Sequence, residues 1–201
     1  AGLGTTQVAA LTTTQLANLS STQIAALSTT AVHGLTATQI AALSTGQLGA
    51  LTATEIGAFT STQVGALSTT QIATLSTTQI AGLASSGPAA LTTAQVAALT
   101  TAQVGALTTT ALAGLNNSQA AALNTTQLAT LSTTQLSALS TSGIAGLTAS
   151  QIDALTSRQL SSLTSAQIGA LTTTQIGSLD STQIATLTVT EIAGLASTQV
   201  A

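Results

Sequence analysis

Leu75-Ser76-Thr77-Thr78-Gln79-Ile80-Ala81-Gly82 is one octad of a pattern that runs through the whole chain without a slip. Leu stands at 3, 11, 19, 27, 35, 43 and 51, Phe59 takes the next place, and Leu returns at 67 and every eighth residue to 195. The 201 residues hold 25 octads of the form L-[ST]-x-x-Q-[IVL]-[AG]-[AG], with no insertion between them. A strict short period marks a quasi-one-dimensional array whose repeats contact their neighbours, and not an ordinary globular domain. The expected organisation is a single continuous array over 1–201, an excerpt of a longer array or one unit of a fibre. The chain begins and ends at the seventh position of an octad, and neither end reads as a capping repeat.

With Leu as position 1, position 2 is Ser, Thr, Asp or Asn in 22 of the 25 octads, the exceptions being Gly4, Ala84 and Ala196. These are the side chains whose short oxygen accepts a free N–H in the first turn of a helix. Position 5 is Gln in 19 octads and Glu in two, Glu55 and Glu191. Ser/Thr-x-x-Gln/Glu is the capping box, in which the second side chain reaches back to the cap's own N–H. Ser76 with Gln79, Asp180 with Gln183, and Thr52 with Glu55 are clear examples. Position 6 is Ile, Val or Leu in 23 octads and fails only at Pro88 and Ala120. Together with Leu at position 1 it makes the hydrophobic staple that fixes the entry of a helix. Ala and Gly at positions 7 and 8 permit close backbone approach, and Gly suits a left-handed helix end.

One uninterrupted helix does not fit. Eight residues advance about 800°, so the Leu row would drift about 80° per octad. The reading is an all-α solenoid of very short helical turns, one per octad, each followed by a bend. The alternative is a β-solenoid or stacked β-array, since Thr, Ile and Val favour strands and stacking would align Gln and Thr ladders. Against it, positions 1 and 6 fall on opposite faces of a flat strand. The Gln/Glu exchange also fits a capping box better than a buried Gln ladder. One Leu and one Ile or Val per octad bury too little surface to offset the ordering of eight residues, so stability must come from stacked neighbours.

Composition excludes much. Charged residues are 2% of the chain: Arg158 is the only base, and Glu55, Asp153, Asp180 and Glu191 are the only acids. No basic patch exists to neutralise phosphates, which excludes nucleic acid as a partner. One His, no Cys and four scattered acids supply no metal site, and no cofactor is expected. Phe59 is the only aromatic residue, so no stacking platform is available. The mean hydropathy is +0.54, yet the apolar runs are short, Ala111–Leu115 being typical, while a membrane span needs roughly 20 residues. No signal peptide is visible.

Few residues break the pattern. Gly87 and Pro88 put a glycine and a missing N–H where an octad needs Gln and Ile, and Gly143 replaces another Gln. Flanking octads keep phase, which argues for local unwinding and not a domain boundary. His33 occupies a place usually held by a small residue and reads as a solvent-facing variant, with no acid and nucleophile beside it for a triad. Asp153 and Arg158 are spaced for a surface pair worth about 0–1 kcal/mol. Three sequons, at Asn18, Asn116 and Asn124, are expected by chance in so Ser/Thr-rich a chain. No catalytic residue, no small-molecule substrate and no enzyme activity are expected.

The octad, as it stands at Leu75–Gly82, resembles the Thr/Gln/Ala-rich octapeptide repeats of very large secreted proteobacterial proteins of adhesin or haemolysin type. That resemblance covers the whole chain and implies an extracellular or cell-surface location. A haem role, which some such proteins carry by label, has no support here, since one His and one aromatic residue build no haem pocket. The expected function is structural: a filament, sheath or adhesin stalk whose partner is itself, by self-association or by continuation of the array. The alternative is ice binding through periodic Thr. That role wants a near-constant Thr face, whereas positions 3 and 4 mix Thr, Ser, Ala, Gly46, Val189 and Arg158.

Overall fold

A computed structural model describes residues 3–85, 90–193 and 195. Ser68 is extended (φ −70°, ψ 159°) ahead of the helix Thr69–Thr74. Its Oγ accepts from the Gln71 N–H at 3.1 Å, and Gln71 Oε1 accepts from the Ser68 N–H at 2.7 Å. Ile72 N–H then donates to the Ser68 carbonyl at 2.9 Å and Leu75 N–H to the Ile72 carbonyl at 3.2 Å, which tightens the last turn. Leu75 is extended again (φ −63°, ψ 142°). Each Leu and the cap after it therefore make a two-residue extended link between helices.

This unit recurs. Among the described residues there are 23 helices and no strand. The helices run four to six residues, except the nine-residue Thr77–Ser85. The fold is an all-α solenoid of short turns, and the β-array is set aside. One local expectation fails. Gly34 and Gly114 end their helices in the right-handed region (φ −78°, ψ −11° and φ −82°, ψ −8°). The bend is made by the extended Leu that follows, so no left-handed glycine is required.

The chain forms two compact units, Ala1–Ala106 and Leu107–Ala201. In the first, each helix packs on the helix three octads further on: Thr5–Ala9 on Thr29–His33, and Ala53–Gly57 on Thr77–Ser85. The second repeats the rule, with Asn117–Ala121 on Thr141–Gly146 and Ser165–Gly169 on Val189–Ala193. Positions 1 and 6 form the core of each unit. Ile40, Leu48, Ile56 and Ile72 are fully buried in the first, with Phe59 in a Leu place, and Leu112, Leu128, Leu136 and Ile144 in the second. Positions 2 to 4, 7 and 8 face outward, as at Ser68, Thr69, Thr70, Ala73 and Thr74.

Position 8 lies over position 3 of the preceding turn. Ser162 Oγ donates to the Thr133 carbonyl at 3.4 Å and Ser178 Oγ to the Ala149 carbonyl at 3.1 Å, both 29 residues back. Where position 8 is Gly the backbones meet directly. A Cβ on Gly82 would stand 2.2 Å from the Ala53 carbonyl oxygen, and one on Gly146 would stand 2.4 Å from that of Asn117.

Candidate functional site

The repeated feature with chemical content is the amide at position 5. Gln71 Oε1 closes the capping box, and its Nε2 points the other way, into the preceding turn. It donates to the Leu43 carbonyl at 2.7 Å and the Ile40 carbonyl at 3.1 Å, 28 and 31 residues back. The same two registers are used by Gln39, Gln47, Gln63, Gln79, Gln95 and Gln103 in the first unit. In the second unit Gln159 and Gln175 use them too, while Gln151, Gln167 and Gln183 reach 28 and 30 residues back. A turn of the solenoid thus takes between three and four octads. These amides are buried, Gln71 at 4% exposure, and no buried side-chain N or O among the described residues lacks a partner.

This corrects one expectation. The Gln/Glu exchange spoke for a capping box and against a buried Gln ladder, yet one planar amide serves both, because its carbonyl and its NH2 face opposite ways. The amides do not all remain for contact with neighbouring chains. Those from Gln39 onward named above are consumed inside the array, which leaves the hydroxyls of positions 2 to 4 outside.

The residues singled out in the sequence fall as follows. Ser76 Oγ accepts from Gln79 N–H and Gln79 Oε1 from Ser76 N–H, at 3.2 and 2.8 Å. Asp180 Oδ1 accepts from Gln183 N–H at 2.7 Å, and Gln183 Oε1 accepts from Asp180 N–H at 2.9 Å. Asn116 and Asn124 cap in the same manner, at 3.0 and 2.8 Å. Thr52 Oγ1 accepts from Glu55 N–H at 3.2 Å, and Glu55 Oε2 accepts both Thr52 N–H and Thr52 Oγ1–H, at 2.7 and 2.9 Å. Glu55 and Glu191 are buried in the Gln position, but an ionised carboxylate has no N–H to send into the preceding turn. Gly87 and Pro88 lie outside the described residues.

Gly143 is accommodated by its neighbour. Its N–H still donates to Ser140 Oγ at 3.0 Å. The Leu115 carbonyl, 28 residues before Gly143, is taken by Ser140 Oγ at 3.4 Å. Ala31 and Ala111 fill two other Gln places and are fully buried.

His33, at the end of Thr29–His33, is exposed. Asp153 ends one helix, Ala149–Asp153, and Arg158 lies within the next, Ser157–Leu160. Among the described residues no group of His, Cys, Asp and Glu converges to hold a metal ion, and no helix is long and apolar enough to cross a membrane. One open surface hollow is lined by small side chains, those of Thr29, Ala53, Thr54, Gly57, Ala58 and Gly82.

The geometry defines a class: a solenoid of octapeptide helical turns fastened from turn to turn by a glutamine ladder. The model of the ALTTAQ repeat matches residues 20–53, 40–77, 133–165 and 158–189, together more than half of the chain. The chain belongs to the ALTTAQ repeat family. The six letters of that name read directly at Ala90–Gln95 and Ala98–Gln103. No curated protein matches the chain.

Proposed function

We propose that this chain is a structural protein, part of an extracellular repeat filament, sheath or adhesin stalk built by stacking octapeptide repeats, and that it is not an enzyme. Its natural partner in this reading is more of the same array, joined in sequence or by self-association at the cell surface. The observation that carries the proposal is the use of the position 5 amide. The most nearly invariant polar side chain of the repeat is spent on holding successive turns together, at 28 and 31 residues, and not on a ligand. The outward positions carry hydroxyls and methyls with almost no charge, which suits lateral contact in a fibre.

Ice binding fares less well. It wants equivalent Thr residues in register on successive turns. Here position 5 bonds to positions 6 and 1 of the turn before, and position 8 to position 3, so these positions do not stack on their own kind.

Cryo-electron microscopy of the native material, with gold-labelled antibody raised against this chain, tests the proposal. Labelled filaments, sheaths or stalks outside the cell are the expected result. Discrete labelled molecules confined to the cell interior overturn it.

A further inference from the structure

Two octads put a carboxylate where the ladder uses an amide. Gln47 and Gln63, one octad before and one after Glu55, each send Nε2 to a pair of carbonyls in the preceding turn. Those of Gln47 are Leu16 and Leu19, both at 2.9 Å, and those of Gln63 are Val32 and Leu35, at 3.0 and 2.7 Å. The pair in the register of Glu55 is Ile24 and Leu27. Glu55 closes its box with Oε2, which takes both Thr52 N–H and Thr52 Oγ1–H, so Oε1 stands where the neighbouring octads carry Nε2. No described residue donates to Oε1 or to the Leu27 carbonyl. The Ile24 carbonyl accepts Leu27 N–H at 3.0 Å and keeps its second lone pair; the Ile40 carbonyl likewise takes Leu43 N–H and gives its other lone pair to Gln71. Three oxygens thus converge with no donor among them. Glu55 is only 8% exposed. Every fully enclosed side-chain oxygen among the described residues has a partner, so the unpartnered Oε1 keeps contact with solvent. Glu191 repeats the arrangement in the second unit. Its Oε2 takes Thr188 N–H at 2.6 Å, the residue is 5% exposed, and no described residue donates to the carbonyl 28 residues back, that of Leu163.

We infer that Glu55 with the Ile24 and Leu27 carbonyls, and Glu191 with the Leu163 carbonyl, bind calcium, which fastens neighbouring turns where the amide is missing. A buried carboxylate set against carbonyls is unfavourable unless positive charge lies among them. Arg158, the only base, forms no ion pair with either carboxylate. The donors fix the class of ligand. All are oxygens, most of them main-chain carbonyls, which suits a hard cation, and neither imidazole nor thiolate is present for zinc or copper. Calcium accepts an irregular oxygen set and completes it with water, whereas magnesium demands a near-ideal octahedron. One carboxylate per site puts the dissociation constant at about 1 mM, the weak end of known calcium sites. Composition hides such a site, because a main-chain oxygen is present at every residue.

The test is calcium titrated through the millimolar range into the full chain at neutral pH, with sodium chloride at matched ionic strength as the comparison. Each point is read as a urea unfolding midpoint by far-UV circular dichroism. The parent's midpoint is expected to rise with calcium, as binding to the folded state requires, and to stay nearly unmoved with sodium. The double variant Glu55→Gln, Glu191→Gln carries the amide of the neighbouring octads and is expected to fold. Its apparent affinity for calcium should be about tenfold weaker or worse, the one carboxylate of each site being lost. An unmoved parent midpoint, or an equal rise with sodium, overturns the sites. A double variant that responds as the parent does also overturns them, and places calcium at Asp153 or Asp180 instead.

Discussion

Gln71 Nε2 lies 2.7 Å from the carbonyl oxygen of Leu43, 28 residues back, while Oε1 of the same amide accepts from Ser68 N–H. One group starts a helix and fastens a turn, and the two roles can be separated by substitution.

Gln71→Glu keeps the oxygen that closes the box and discards the donor. Its carboxylate would then face the carbonyls of Ile40 and Leu43. A loss of about 1–3 kcal/mol is expected, read by equilibrium urea unfolding followed by circular dichroism. Gln71→Leu should cost more, since it removes both bonds. A Gln71→Glu protein that unfolds at the same urea concentration as the parent would show that the inter-turn bond contributes nothing.

Glu55→Gln runs the experiment in reverse. The new amide would find the carbonyls of Ile24 and Leu27, 31 and 28 residues back in the register of its neighbours. It should stabilise the first unit by about 1 kcal/mol. A lower midpoint in the same unfolding assay would contradict the ladder geometry at this octad.

Ser68→Ala removes a cap whose oxygen accepts from Gln71 N–H. The expected cost is about 1 kcal/mol. Position 2 Ala substitutions in several adjacent octads should accumulate, because stability in such arrays is close to a sum over repeats and their interfaces. Thermal melts of a one-, two- and three-octad series test this, and a flat series would count against helix capping as a source of stability.

Two glycines, Gly82 at position 8 of its octad and Gly65 at position 7 of another, should respond with opposite sign. A Cβ on Gly82 would collide with the Ala53 carbonyl at 2.2 Å, whereas one on Gly65 meets nothing within 4 Å. Gly82→Ala must push two turns apart and should cost about 1–3 kcal/mol, as overpacking does. Gly65→Ala, inside the helix Ser61–Ala66, should gain about 0.5–1 kcal/mol from helix propensity. Melting temperatures of the two variants provide the comparison.

The local half of this design was open to reading. Ser76 and Gln79 are three apart, and Leu75 and Ile80 five apart. Those spacings have physical meaning within a single turn of helix, so the short helices followed from them. The other half was closed. The partners of the Gln79 Nε2 group are the carbonyls of Leu48 and Leu51, and a backbone carbonyl leaves no mark on the sequence. Nor does the sequence state how sharply an extended Leu bends the chain, which sets how many residues complete a turn. One signal was present all the same. A box alone accepts Glu as readily as Gln, yet Gln holds 19 octads against two for Glu. That bias is what a required N–H donor imposes. The small residues at positions 7 and 8 fit both close backbone approach and helix endings in the sequence, and at Gly34, Gly82 and Gly146 it is a carbonyl or α-carbon approaching from another turn that accounts for the glycine.

The 28-residue reach of the ladder makes the octad the unit of permissible change. If a whole octad is lost or gained, each amide still meets a carbonyl of the right kind, and only the length of the array is altered. If one to seven residues are lost, the damage is confined to the three or four amides whose bonds straddle the cut. Beyond one turn, donor and acceptor have moved together and meet again. Slippage between near-identical octads during DNA replication therefore yields folded products of many lengths, and length becomes a trait that selection can adjust without redesigning a single contact.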